Sequence, residues 1–269
     1  MANLASISAT SIRLKSGTLA APTNTSDTTL RLTPITGGST GELGVGTTDA
    51  YHHITTCYNS AVNRVFAAYF FDSLGAVGSV GQPSADGESI IWSTGQALQT
   101  NNYNGNACSY DRKEQKILWA GPGHSTNRID SYVVSIDATT GTNPVDNGTV
   151  ATWALPGAVV AECIGAQSLI YVGDDAGSSA GKHVLLYAHS ANNLRAVVGT
   201  IASGGTTVDW NTPLTNYATI STSGTNYEAH GCKVADNKIV AFWTNGGTEG
   251  WCRVGTVASG EITFGTAVR

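Results

Sequence analysis

Cysteine and histidine side chains, carboxylates and tryptophans are the groups of this chain whose types and spacing could do chemistry. His53 and Cys57 share one segment and His230 and Cys232 another, the residue types of a zinc site. The spacing argues against one: no Cys-x-x-Cys pair exists, and His and Cys at i, i+2 on a strand only place both on one face of a sheet. Five cysteines are an odd number, which a closed disulfide framework cannot use. Cys57, Cys108, Cys163, Cys232 and Cys252 therefore read as reduced, buried apolar residues. Asp111 and Asp236, with Asn59 at the comparable place, fall in turns, where an Asx side chain bonds its own backbone. Asp174, Asp175 and the stretch 137–148 are oxygen-rich loops without the spacing of a calcium loop. A glycosidase needs two carboxylates converging across a cleft, about 5 to 10 Å apart. Here the acids are scattered through turns and no pair can be nominated. Gly-x-Ser-x-Gly, a phosphate loop and HExxH are absent. The sequence thus nominates no catalytic residue, no cofactor and no metal ligand.

The tryptophans divide into two groups. Trp119, Trp243 and Trp251 lie in or beside loops and are expected to form an exposed stacking platform for sugars or an apolar protein interface. Trp92, Trp153 and Trp210 sit in closing strands, and because an aromatic ring buries about 150 to 250 Å² they are expected to pack between neighbouring units.

Those units are repeats. Lys238 to Gly260 (KIVAFWTNGGTEGWCRVGTVASG) aligns without a gap to Lys182 to Gly204, 56 residues earlier (KHVLLYAHSANNLRAVVGTIASG). Weaker copies open with a basic residue at Arg64 (RVFAAYFF) and Lys116 (KILWAG), following strands that hold Cys57 and Cys108, as Lys238 follows Cys232. The closing aromatics Trp92, Trp153, Trp210 and Phe264 lie 61, 57 and 54 residues apart. A fixed period of this size marks a repeat architecture. Within a unit, short β-branched and aromatic runs separated by Gly, Asn, Ser and Asp predict four strands and no helix. In the last unit these are Ala229 to Val234, Lys238 to Thr244, Trp251 to Ala258 and Glu261 to Val268, with Ala235-Asp236-Asn237 and Ser259-Gly260 as hairpin turns. The third unit admits two registers, with its first strand at Ser168 to Val172 or, by its cysteine, around Cys163. The expected fold is all-β: tandem four-stranded antiparallel repeats forming a small propeller of four or five blades, with a β-sandwich as the alternative.

Charged residues are only 12% and Gly is 32 of 269, against a usual charged share of about 25%. The net charge of −5 comes without a basic cluster, which argues against a sequence-independent grip on nucleic acid. No secretion signal and no membrane span is visible, so synthesis in a cytoplasm is expected. Residues 1–50 differ from residues 51–269: short strands at Ser11 to Lys15 and Thr28 to Thr33 are joined by Gly/Thr/Ser/Pro-rich connectors, and read as a docking arm or atypical capping strands.

The strings VGTIASGGTTVDWNTPL and VGTVASGEITFGTAV, with KIVAFWTNGG before the second, resemble repeats in virion-associated proteins of tailed bacteriophages, of tail fibre, decoration or adhesion type. The resemblance covers about four fifths of the chain. It implies a virion structural protein located on the particle and not an enzyme, acting by assembly and surface display with other tail or capsid proteins and as a homo-oligomer. A host-receptor or glycan-binding adhesion module is the alternative it allows, and a polysaccharide-degrading spike a further one. Cys57, Cys108, Cys232, Trp92, Trp153, Trp210 and Phe264 are the expected repeat core.

Overall fold

Alternating β-branched and aromatic residues, cut at short intervals by Gly and Asx, can bury a face only as strands. In the computed structural model every regular element among the described residues is one. The structure describes residues 51–71, 75–84, 89–93, 95–99, 105–122, 128–136, 146–147, 151–154, 166–173, 180–190, 193–210, 217–222, 229–245 and 249–269. Residues 1–50, Cys163, Asp174 and Asp175, and the side chain of Trp153 lie outside the described residues.

Four antiparallel sheets follow one another along the chain. Blade 1 is β1 (Tyr51–Asn59), β2 (Arg64–Phe71), β3 (Gly75–Pro83) and β4 (Ile90–Trp92), with β5 (Gln96–Gln99) also on β3. Blade 2 contains β6 (Ala107–Asp111), β7 (Lys116–Pro122), β8 (Arg128–Ser135), β9 (Asp146–Asn147) and β10 (Ala151–Ala154), in the order β6-β7-β8-β10 with β9 beside β8. Blade 3 is β11 (Ala166–Tyr171), β12 (Ala180–Ser190), β13 (Asn193–Ala202) and β14 (Val208–Asp209), with β15 (Tyr217–Ser221) on β13. Blade 4 is β16 (Ala229–Ala235), β17 (Lys238–Asn245), β18 (Glu249–Ala258) and β19 (Glu261–Phe264). The third unit adopts the first of the two registers, with SLIYV in β11.

The first strands pack in series, β1 on β6, β6 on β11 and β11 on β16. They are the inner strands of a propeller, and the sandwich alternative falls away because each middle sheet is covered by its neighbours on both faces. Among the described residues each junction holds an apolar core, and Tyr69 and Val77 form a further small buried cluster on the face of blade 1 turned away from blade 2. Phe66, Ala68 and Leu98 meet Ile117 and Trp119 between blades 1 and 2. Leu118, Ile129 and Val133 meet Leu185, Val197 and Trp210 between blades 2 and 3. Val184, Leu186 and Ile170 meet Ile239, Trp243 and Ile262 between blades 3 and 4.

The repeated VGT motif has a steric cause. A Cβ on Gly199 would stand 2.6 Å from the Trp210 ring, one on Gly255 2.8 Å from Phe264, and one on Gly81 2.8 Å from Trp92. In three blades the third strand thus carries a glycine where the closing aromatic packs against it. Trp210 is buried and its Nε1 donates to Ser131 Oγ of blade 2 at 2.9 Å, a wedge between blades as expected. Trp92 and Phe264 are half-buried, Phe264 against the core of blades 3 and 4.

Two expectations are corrected. Trp119 is fully buried in β7 and Trp243 is buried in β17, both facing a neighbouring blade, while Trp251 in β18 is partly buried against the last core. No exposed platform is built from them, because what read as loop edges are strands with one face turned to the next blade. The described cysteines, Cys57, Cys108, Cys232 and Cys252, are free thiols, but only Cys108 is buried and Cys232 is exposed. Cys57 and Cys232 pair two positions beyond the basic residue that opens the second strand, with Phe66 and Val240, whereas Cys108 pairs three beyond, with Trp119. That one-residue slip turns Cys108 to the opposite face. Cys57 and Cys108 consequently face each other across the first junction, and the hydrogen bond from Cys108, burial and the nearby thiol push the Cys57 thiol well above its usual range.

Trp210→Ala should destabilise the domain by about 3 to 5 kcal/mol, since it empties a junction and removes the hydrogen bond to Ser131 Oγ. Urea unfolding monitored by circular dichroism checks this, and Phe264→Ala, which truncates a half-buried ring, should cost clearly less.

Candidate functional site

The hairpin that follows each inner strand needs a residue able to end the ladder and reverse the chain. Asn59 and Asp111 do so with their side chains: Asn59 Oδ1 accepts the Ala61 N–H at 3.0 Å, and Asp111 Oδ1 accepts those of Lys113 and Glu114 at 2.9 and 3.0 Å. The turns close on Asn63, Gln115 and Asn237 with φ of 52°, 55° and 56°, the left-handed region. Asp236 departs from the expected Asx role and ion-pairs with Lys233 at 2.7 Å.

Those same turn residues tie each blade to the next. Asn59 Nδ2 donates to Gln115 O of blade 2 at 3.4 Å, and Lys116 Nζ of blade 2 to Gly205 O of blade 3 at 2.7 Å. The strongest tie is a buried trio. Asp111 Oδ2 stands 3.1 Å from His183 Nε2, and His183 Nδ1 stands 2.7 Å from Ser109 Oγ, with the Asp and His side chains wholly buried. The carboxylate offers only lone pairs, so Nε2–H donates to it, and the Ser109 hydroxyl serves Nδ1 as donor or acceptor. The approach depends on Gly181, where a Cβ would overlap Asp111 Oδ2. Burial alone would raise the Asp111 pKa. The His183 hydrogen bond and charge, with the Glu114 and Lys113 N–H groups, outweigh it and hold the carboxyl below its ordinary value. Ser109, Asp111 and His183 match the residue types of a nucleophilic triad, but they lie inside a blade junction and do not line the cavity described next.

The C-terminal ends of β1, β6, β11 and β16 surround a cavity of about 770 Å³ lined by Tyr58, Tyr110, Arg112, Tyr171 and the run Lys233 to Asp236. Tyr58, Tyr110, Tyr171 and Lys233 pair with Val65, Ile117, His183 and Ile239, in each case the residue after the basic one that opens the second strand. They occupy one position of the repeat, so the radial arrangement turns a single sequence column into a ring around the axis. Lys233 Nζ donates to Gly173 O at 3.1 Å and lies 5.9 Å from the centre of the Tyr171 ring, and Tyr171 meets His183 edge-on at 5.3 Å. The buried trio thereby braces one wall of the cavity. Sequence reasoning passed over these tyrosines although they stand beside the quoted markers, in TTCYN, NACSYD and SLIYV. Among the described residues no group of three or more His, Cys, Asp and Glu side chains is placed to hold a metal ion.

No family model matches the chain, and no curated protein sequence does. Solved structures match its shape. A candidate 6-phosphogluconolactonase from Bacteroides fragilis is similar over 80% of this chain at TM-score 0.53 and 11% identity, the matched part being 56% of that protein. An α-L-arabinofuranosidase from Clostridium thermocellum matches over 80% of this chain and 72% of its own at TM-score 0.43 and 11% identity. A β-1,3-galactosidase matches over 79% and 75% at TM-score 0.43 and 12% identity. The first likeness establishes a shared propeller fold. It also overturns the expectation that this chain is not an enzyme: that expectation ran from repeats and missing motifs to a purely architectural part, and the fold the repeats build is one that a candidate lactonase uses.

A carboxyl with a depressed folded pKa contributes stability above its unfolded value, about 3.9, and loses it as pH falls through the folded value. Wild-type protein should therefore lose melting temperature below about pH 4 more steeply than Asp111→Asn. Asp111→Ala, which strands His183 and two N–H groups, should cost about 3 kcal/mol or more by urea titration at neutral pH.

Proposed function

We propose that the chain is a glycan-binding adhesion module displayed on a tailed-bacteriophage particle, with the axial cavity as its sugar site. The observation that carries the sugar site is the convergence of Tyr58, Tyr110 and Tyr171 with Arg112, Lys233 and Asp236 around one opening. A saccharide presents C–H faces and hydroxyl edges. Tyrosine supplies a flat apolar face with a polar tip, and the charged groups supply directional donors and an acceptor, the usual makeup of a small-molecule pocket. Display on a particle is supported by the repeat strings VGTIASG and VGTVASG and by the low charge content of 12%.

The test is a glycan array followed by titration calorimetry on each hit, with the incubated sugars chromatographed so that any turnover at the site is read in the same experiment. Tyr58 is half exposed, so Tyr58→Ala should leave the melting temperature nearly unchanged while weakening binding about tenfold or more, as truncation of an aromatic anchor does. Saturable binding that survives Tyr58→Ala unchanged, or no binding to any saccharide, would sink the proposal.

A further inference from the structure

Cys57 and Cys108 come from the inner strands of neighbouring blades, and they face each other only because of the register slip in blade 2. In the phase of Cys57, Cys108 would turn to blade 3, where its neighbours Ser109 and Asp111 already reach His183. Instead Cys108 lies in the core shared by blades 1 and 2, and Cys57 packs against that core from the blade 1 side.

Thr55, on the same face of β1 as Cys57, shows how near the two strands come. Its Oγ1 accepts the Cys108 N–H at 3.2 Å and lies 3.5 Å from Cys108 Sγ. A side chain as short as threonine thus reaches the backbone of the next blade, which brings the strands within the Cα separation of about 4.4 to 6.8 Å that a disulfide spans. The two thiols are themselves in hydrogen-bonding contact. The other two described cysteines are not so placed. Cys232 and Cys252 share blade 4, but β17 stands between their strands and holds them about two strand spacings, roughly 10 Å, apart.

We propose that Cys57 and Cys108 are a redox-active pair that closes into a disulfide between blades 1 and 2 when the chain meets an oxidising low-molecular-weight disulfide. Both are free thiols in this structure, so closure is a modification of the folded protein. Cys57 is partly exposed and Cys108 is buried, which makes Cys57 the thiol that meets the oxidant. Its thiolate attacks one sulfur of the small disulfide, forming a mixed disulfide and releasing one small thiolate. The Cys108 thiolate then attacks the Cys57 sulfur, forming the bond between blades and releasing the second small thiolate. The two protons lost by the protein end on the two small thiols, and two electrons pass from the pair to the oxidant. The hydrogen bond with Cys108, burial and the nearby thiol hold the Cys57 thiol well above its usual range. The first step is therefore slow at neutral pH and speeds up as pH rises. The bond closes a loop that contains all of β2 to β5, and it ties the residue before Tyr58 to the residue two before Tyr110. Both tyrosines line the cavity, so oxidation clamps the stretch of its wall shared by blades 1 and 2.

Incubation of the full chain with oxidised glutathione at mildly alkaline pH tests this. The remaining thiols are alkylated in denaturant, and the digest is mapped by mass spectrometry without reduction. The expected product is a monomer in which the Cys57 and Cys108 peptides are linked, formed faster as pH is raised and lost on treatment with dithiothreitol. Recovery of both cysteines alkylated, of Cys57 only as its glutathione adduct, or of Cys57 linked to a different cysteine or to a second chain would overturn the proposal. Melting provides a second measurement. The linked wild type should melt about 5 °C or more above the reduced protein, because the bond restricts the unfolded chain. Cys57→Ala, which truncates a side chain that is only partly buried, should melt at one temperature with and without oxidant. An unchanged melting temperature in the linked wild type, or an equal rise in Cys57→Ala, would count against the clamp.

Discussion

A four-stranded sheet with apolar residues on both faces cannot stand alone, because each face must leave water and a blade can cover neither by itself. The junction between consecutive blades is therefore the unit of stability here. Phe66, Ile117 and Trp119 exist as core residues only because blades 1 and 2 are pressed together, and the same holds for Leu185 and Trp210 at the second junction. Stacking in a straight line would leave two raw ends. Curving the stack around an axis brings the ends towards each other, and on the two end faces Phe242 and Ile54 are exposed while Tyr69 and Val77 are buried.

Curvature also creates the cavity. Inner strands that converge on an axis cannot fill it with their own side chains at the hairpin ends, so one position per repeat is left pointing at open space. Three of the four blades place tyrosine there and the fourth places Lys233. Polar ties concentrate at this end for the same reason. Near the axis the turns carry backbone groups that neither ladder nor solvent fully serves, and Asn59 and Asp111 answer that need while also fixing the rotational setting of the next blade.

Much of the fold was legible in the sequence because burial in a propeller follows strand period. The strands and turns of the last unit emerge from KIVAFWTN, the Ala235 to Asn237 turn and Ser259-Gly260, and the last two residues do take positive φ, 51° and 83°. The third unit stayed open between two registers in the sequence, and the structure adopts the one that the ungapped match gives. Which face a side chain takes was less legible, since period 2 makes the assignment hostage to a single residue of register. Cys108 looked equivalent to Cys57 and points the other way. Trp119 and Trp243 looked like loop residues because Gly and Asn follow them, yet each sits within a strand whose inward face they complete. The site was least legible. Tyrosine in a strand reads as ordinary β filler, and only radial geometry shows that Tyr58, Tyr110 and Tyr171 share a column.

The trio of Ser109, His183 and Asp111 shows why residue types alone do not assign chemistry. The same three groups that activate a nucleophile at a cleft act here as a rivet, because the Asp111 carboxylate is engaged on both oxygens and the serine hydroxyl meets imidazole and not solvent. Burying such a polar chain costs more than an apolar contact of equal size unless every member is satisfied. What the fold gains is position. Hydrogen bonds demand one distance and one angle where apolar packing tolerates several, so the trio sets how blade 3 meets blade 2, and through the edge of His183 it sets where the Tyr171 ring stands in the cavity. A shape-selective site needs walls held to that tolerance, and the polar tie lies at the inner edge, where a small rotation of one blade against the next would move the ring of tyrosines most directly.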